Sequence, residues 1–181
     1  MKKLLIFCLV LGAFQLQAQD RDITFGVKAG ANFSNLKLDF DGDGISPDGA
    51  TSIFVGGYVD IGIAEKLNFQ PELQYSIEGA KDASVSFINL PLMLKYSVVD
   101  GFNVQAGPQI GFLVDAEDGD TDGLKSTNFA LNFGAAYELP AGFFVDARYN
   151  LGLSNIAEEE PGFEDISLKT KGFQLGVGYR F

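Results

Sequence analysis

Two stretches of this 181-residue chain carry alternating carboxylates, Asp39-Phe-Asp41-Gly-Asp43-Gly44 and Asp118-Gly-Asp120-Thr-Asp122-Gly123. Both read D-x-D-x-D-G, the opening half of a calcium loop. In such loops the alternate carboxylates are hard oxygen ligands and the glycine allows a sharp turn. Calcium wants about six to eight oxygens, closed by a bidentate glutamate at the twelfth loop position. Those positions hold Ala50 and Phe129, and Asp48 could substitute in the first stretch only at an unusual spacing. The same Asp and Gly residues equally suit an acidic, turn-rich loop that stays in water. Calcium is therefore the one candidate cofactor, with Asp39, Asp41, Asp43, Asp118, Asp120 and Asp122 as its candidate ligands.

Other chemistry is sparse. The chain has no histidine, the commonest general base and metal ligand. Its one cysteine, Cys8, sits in the N-terminal apolar run. Ser34, Ser52, Ser126 and Ser154 lie near chain reversals and read as turn and loop residues. These absences argue against an enzyme.

Lys2 and Lys3 followed by the apolar run Leu4–Phe14, then Leu16 and Ala18 before Gln19, read as a secretory signal peptide. The run is shorter than the ~20 residues a membrane-spanning helix needs. The expected division is residues 1–18 as a removed signal and 19–181 as one domain. The mature domain has no cysteine, so disulfides play no part. Removing Lys2 and Lys3 leaves 11 basic residues against 24 acidic ones. That balance excludes nucleic acid, which needs clustered Lys and Arg.

Eight segments show period-2 alternation of apolar and polar residues, the mark of β-strands. In the first, Ile23, Phe25, Val27, Ala29, Ala31 and Phe33 oppose Thr24, Gly26, Lys28, Gly30 and Asn32. In the last, Phe173, Leu175, Val177, Tyr179 and Phe181 oppose Gln174, Gly176, Gly178 and Arg180. Each spans ~10 to 12 residues, enough for a tilted strand to cross a bilayer. Short links at Ala64–Lys66, Val99–Gly101 and Pro140–Gly142 alternate with longer ones near 35–51, 79–86, 115–126 and 155–171. Short turns alternating with long loops predict an all-β, eight-stranded, antiparallel up-and-down transmembrane β-barrel.

Volume decides which face is outside. An eight-stranded barrel has an interior just wide enough for side chains, and roughly forty-five apolar residues cannot all enter it. The Gly-, Ser-, Asn- and Gln-rich face can, so the apolar face must meet outer-membrane lipid. Aromatic residues at the segment ends suggest the paired girdles of such barrels. Phe69, Tyr96, Phe102, Tyr137, Phe143, Tyr179 and Phe181 mark one edge, and Phe33, Tyr75, Phe112, Phe129 and Phe173 the other.

Nine charged residues fall on the inward register: Lys28, Asp60, Glu72, Glu78, Lys95, Glu138, Asp146, Arg148 and Arg180. In so narrow a lumen, unpaired burial is costly. Paired charges that plug the barrel are expected in preference to an ion path. The four longer links hold 15 of the 24 acids, so any surface activity would lie there.

The stretches PELQYSIEG (Pro71–Gly79), INLPLMLKY (Ile88–Tyr96), QAGPQIGFL (Gln105–Leu113), FVDARYNLGLSNI (Phe144–Ile156) and FQLGVGYRF (Phe173–Phe181) carry a family likeness. Over nearly the whole mature chain they resemble the PorT family, small OmpX- and OmpA-like outer-membrane barrels of Bacteroidetes. The resemblance implies the barrel and a cell outer membrane location. The founding member is associated with protein secretion, but no motif here carries that role over. The final Phe181 after Tyr179 resembles the signal read by the barrel-assembly machinery. The expected partners are lipid, that machinery, and an envelope protein at the acidic loops. The function expected is a non-enzymatic structural, surface-interaction or docking role. A component of a secretion or transport assembly, or a narrow pore, is the alternative.

Overall fold

A computed structural model describes residues 23–40, 43–45, 49–80, 83–116, 125–155 and 166–181. The expected signal peptide, residues 1–18, lies outside them. Eight long strands follow one another: β1 (Ile23–Phe40), β2 (Ala50–Ala64), β3 (Leu67–Ala80), β4 (Ala83–Val99), β5 (Phe102–Ala116), β6 (Thr127–Glu138), β7 (Phe143–Gly152) and β8 (Ile166–Arg180). Each pairs antiparallel with its predecessor, and β8 returns to β1 from Gly26↔Arg180 to Phe40↔Ile166. The result is the closed, eight-stranded, up-and-down barrel that the alternation predicts, with no free edge along the ring.

Six of the eight strands are longer than the expected ~10 to 12 residues, reaching 18 in β1 and 17 in β4, while β6 and β7 keep to 12 and 10. The extra length comes out of the links expected to be long. β3 and β4 pair as far as Ala80↔Ala83, so the link near 79–86 is a tight hairpin rather than a loop. β1 and β8 stay paired past Phe33 for a further seven residues, to Phe40. A three-residue strand, Asp43–Ile45, folds back on the end of β1. Continued backbone hydrogen bonding outweighs the local turn preference of Gly and Asp there.

Turns at the opposite end are short. Gly101 (φ 80°) and the Ala141–Gly142 pair (φ 66° and 87°) adopt the left-handed conformation that tight reversals need. Pro71, Pro91 and Pro108 interrupt β3, β4 and β5, and the ladder between β4 and β5 skips from Pro91↔Gln109 to Leu94↔Ala106. Proline has no N–H to give, so pairing lapses locally while the flanking register holds the ring closed.

The faces sort as expected. Val55, Leu73, Phe133, Leu175 and Val177 are exposed on the outside. Asn32, Gln74, Asn89, Gln109, Asn128, Asn132 and Gln174 are buried inside. The inner face is less purely polar than the sequence suggests, because Phe54, Tyr58, Phe87 and Met93 are also buried there. Three inward aromatic rings sit over glycines of the neighbouring strand. Phe54 pairs with Gly30 and Tyr58 with Gly26, and Phe144 pairs with Gly178. A Cβ at any of the three glycines would run into the ring.

Candidate functional site: the barrel lumen

All nine inward charges line the lumen, and they separate into three levels. The middle level is built on Glu72 of β3. Its carboxylate takes Arg148 Nη1 on Oε2 at 2.8 Å and Nη2 on Oε1 at 2.6 Å. Gln70 Nε2 and Gln74 Nε2 donate to the same carboxylate at 2.6 and 2.5 Å. Lys28 Nζ lies 2.8 Å from Oε2 as an ion pair lacking hydrogen-bond alignment. Asp146 completes the level, 3.1 Å from Arg148 Nε and 3.5 Å from Lys28 Nζ. Two acids therefore meet two bases, and the four side chains are almost fully buried. Lys28 also sits 5.7 Å from the centre of the Phe54 ring, a cation–π distance.

The second level lies at the short-turn end and uses the even strands in order. Asp60 of β2 pairs with Lys95 of β4. Lys95 reaches Glu138 of β6 at 3.4 Å, and Glu138 reaches Arg180 Nη1 of β8 at 2.7 Å. Asn68 Nδ2 donates to Asp60 at 2.5 Å and Asn103 Nδ2 to Glu138 at 3.3 Å. Acid and base alternate around the ring, so this level too is neutral. Glu138 and Arg180 are partly exposed at the mouth.

The third level lies toward the long-loop end and departs from the expectation that every inward charge is paired. Glu78 is buried, yet among the described residues no Lys or Arg forms an ion pair with it. Its Oε1 accepts from Ser76 Oγ at 3.0 Å and Asn89 Nδ2 at 2.8 Å. Sequence spacing could not reveal this, because which inward residues meet depends on how the strands are staggered around the ring.

No calcium centre is brought together among the described residues, where no group of three or more acidic, His or Cys side chains is placed to hold a metal. Asp41, Asp118, Asp120 and Asp122 lie outside those residues. The backbones of Asp39 and Asp43 belong to the hairpin at the tip of β1, opposite Gly44 and Phe40. Two of the serines near the links have side-chain partners of a structural kind. Ser52 Oγ donates to the Ile77 carbonyl at 2.5 Å. Ser154 Oγ donates to Asn128 at 2.9 Å and accepts from the Phe129 amide at 2.8 Å.

A polar lumen with most of its charges paired, inside an apolar wall, suits a protein whose surrounding solvent is hydrocarbon. The model of the outer membrane protein beta-barrel domain family matches residues 6–181. The chain belongs to this family. Its members cross the outer membrane, so the exposed apolar band faces lipid. Among solved structures, Neisserial surface protein A aligns with a TM-score of 0.54 at 14% identity, covering 88% of this chain and 99% of that one. Ail, the attachment invasion locus protein of Yersinia pestis, aligns with a TM-score of 0.53 at 13% identity, covering 87% and 98%. At such identities the likeness is one of fold. No curated protein matches the chain.

Proposed function

We propose that this outer-membrane barrel is a sealed, non-enzymatic scaffold that presents its external β-extension and acidic loops to a partner at the cell surface. The observation that carries the reading is the bridge from Arg148 to Glu72. It joins β7 to β3, opposite walls of an eight-membered ring, and so blocks the lumen at mid-height. Work for such a barrel lies outside the membrane. There, β1 and β8 remain paired beyond the aromatic edge marked by Phe33 and Phe173, next to links rich in carboxylates.

The likeness of Pro71–Gly79, Ile88–Tyr96 and Phe144–Ile156 to PorT-type barrels of Bacteroidetes supports the outer-membrane setting, and an envelope protein at the acidic links is the partner proposed. Export by a cleaved signal, and recognition of the strand ending in Phe181 by the assembly machinery, belong to the same reading. Phe181 supports the second point structurally. Its amide donates to the Phe25 carbonyl at 2.8 Å, and its ring stacks edge-on to Tyr179 at 5.3 Å, which closes the ring at the end of β8.

Two measurements test the proposal. Planar-bilayer recordings of the refolded barrel should show conductance near zero, and sustained large steps would overturn the seal. Crosslinking in whole cells should capture an envelope partner, and replacing the segments beyond the aromatic edge with short turns should abolish capture while heat-modifiable gel migration persists. Capture that survives the loop replacement would overturn the surface role.

A further inference from the structure

Glu78 is the only charged residue on the inward register of the loop-side half of the described lumen. Around it lie the amides and hydroxyls of Asn32 and Ser34 of β1, Ser76 of β3, Asn89 of β4, Asn150 of β7, and Thr170 and Gln174 of β8, with buried Val85 of β4 opposite it and Phe87 opposite Ser76. A buried carboxylate with no counter-charge is strongly disfavoured, and two neutral donors offset only part of that cost.

The cage around it is also short of donors. Asn32 Nδ2 donates to Ser76 Oγ at 2.9 Å and to the Ile77 carbonyl at 2.8 Å, and Ser76 Oγ in turn donates to Glu78. That chain leaves Asn32 Oδ1, which is almost wholly buried, with no hydrogen bond from the protein. Asn89 Oδ1, on the residue that donates to Glu78, is likewise unmatched. Asn32, Ser34, Glu78, Asn150, Thr170 and Gln174 line a cavity of about 10 Å³. Lys171 borders it, but sits on the outward register of β8 with Phe173 and Leu175. The site thus combines one buried carboxyl group with no ion-pair partner among the described residues, surplus oxygen acceptors and a space at the lower limit for a water molecule.

We infer that this cavity is a binding site for a small monovalent cation of sodium's size, held by the Glu78 carboxylate and the Asn32 amide oxygen, with the Thr170 hydroxyl, which also accepts from Asn128 Nδ2 at 3.2 Å, as a third oxygen. A single carboxylate neutralises one positive charge. Calcium sites in proteins usually gather several carboxylates. The space has room for about one water molecule, so a bare ion of that size fits it better than a fully hydrated one. The bound ion would supply at the third level the charge balance that Lys28, Arg148, Lys95 and Arg180 supply at the other two.

The test is thermal unfolding of the refolded barrel in detergent at pH 7, at fixed ionic strength, with LiCl, NaCl, KCl or CaCl2 replacing choline chloride. Sodium should raise the Tm of the native chain by about 5 °C in a saturable way, and potassium should raise it much less. Glu78→Gln, which keeps shape and removes the charge, should abolish the response. If that variant fails to fold, Thr170→Val removes one ligand and keeps the charge, and should weaken the apparent sodium affinity about tenfold. The assignment is overturned if no alkali cation shifts the native chain's Tm. It is equally overturned if Glu78→Gln or Thr170→Val responds as the native chain does, or if calcium alone acts, which would place the ion in the acidic loops.

Discussion

Arg148 on β7 grips Glu72 on β3 across the barrel, with both guanidinium nitrogens on the two carboxylate oxygens at 2.8 and 2.6 Å. The partners are 76 residues apart in the chain and come from opposite walls. Lys28, Gln70 and Gln74 saturate the same carboxylate. Bidentate geometry fixes the angle between the walls as well as their distance.

Breaking that pair should be severe. Arg148→Met leaves Glu72 buried beside Lys28 alone and should lower stability by about 3–5 kcal/mol. Glu72→Gln, which strands Arg148 near Asp146, should cost a similar amount. The double change Glu72→Leu/Arg148→Met removes both charges together and should be milder than either single change. Urea unfolding of the refolded barrel, followed by gel migration, measures all three. A double variant as damaged as the sum of the singles would contradict the pairing.

The aromatic–glycine contacts make a second prediction. At Gly178 a Cβ would strike the Phe144 ring, and that ring is also packed edge-on against Tyr58 at 5.7 Å. Gly178→Val should therefore displace two rings and cost about 1–3 kcal/mol. Adding Phe144→Ala should restore part of the loss by making room. If Gly178→Val unfolds at the native urea midpoint, the ring does not rest on the glycine.

Val177, on the same strand, faces outward and is 62% exposed, between the aromatic edges marked by Phe173 and Phe181. An arginine there would meet hydrocarbon, and Val177→Arg should cost about 2–4 kcal/mol when folding is measured in lipid vesicles. The same substitution in a protein surrounded by water would be nearly neutral. A neutral result in lipid would show that this face does not contact the membrane interior.

The barrel and its orientation were legible because they rest on local rules. Side chains of a strand alternate sides, so Ile23–Phe33 and Phe173–Phe181 announce their apolar faces without reference to any other segment. The inward register of all nine charges follows from the same alternation. The inward rings of Phe54, Tyr58 and Phe144 carried a weaker signal. Each sits on the polar register opposite a glycine, but recognising that requires knowing which residues of neighbouring strands face each other. The link lengths misled near 79–86, where residues of turn-forming type continue the β3–β4 ladder to Ala80↔Ala83.

By itself the sequence determined how many strands cross the membrane, which of their faces meets lipid and which charges enter the lumen. Period, length and volume suffice for those conclusions. Only the tertiary structure decided that Glu72 meets Arg148, that Asp60, Lys95, Glu138 and Arg180 form a ring on the even strands, and that Glu78 forms no ion pair among the described residues. The reason is geometric. Closing a sheet into a barrel staggers its strands, and that stagger sets the height of every inward side chain. A displacement of two residues keeps each side chain on its face yet changes all of its partners across the lumen.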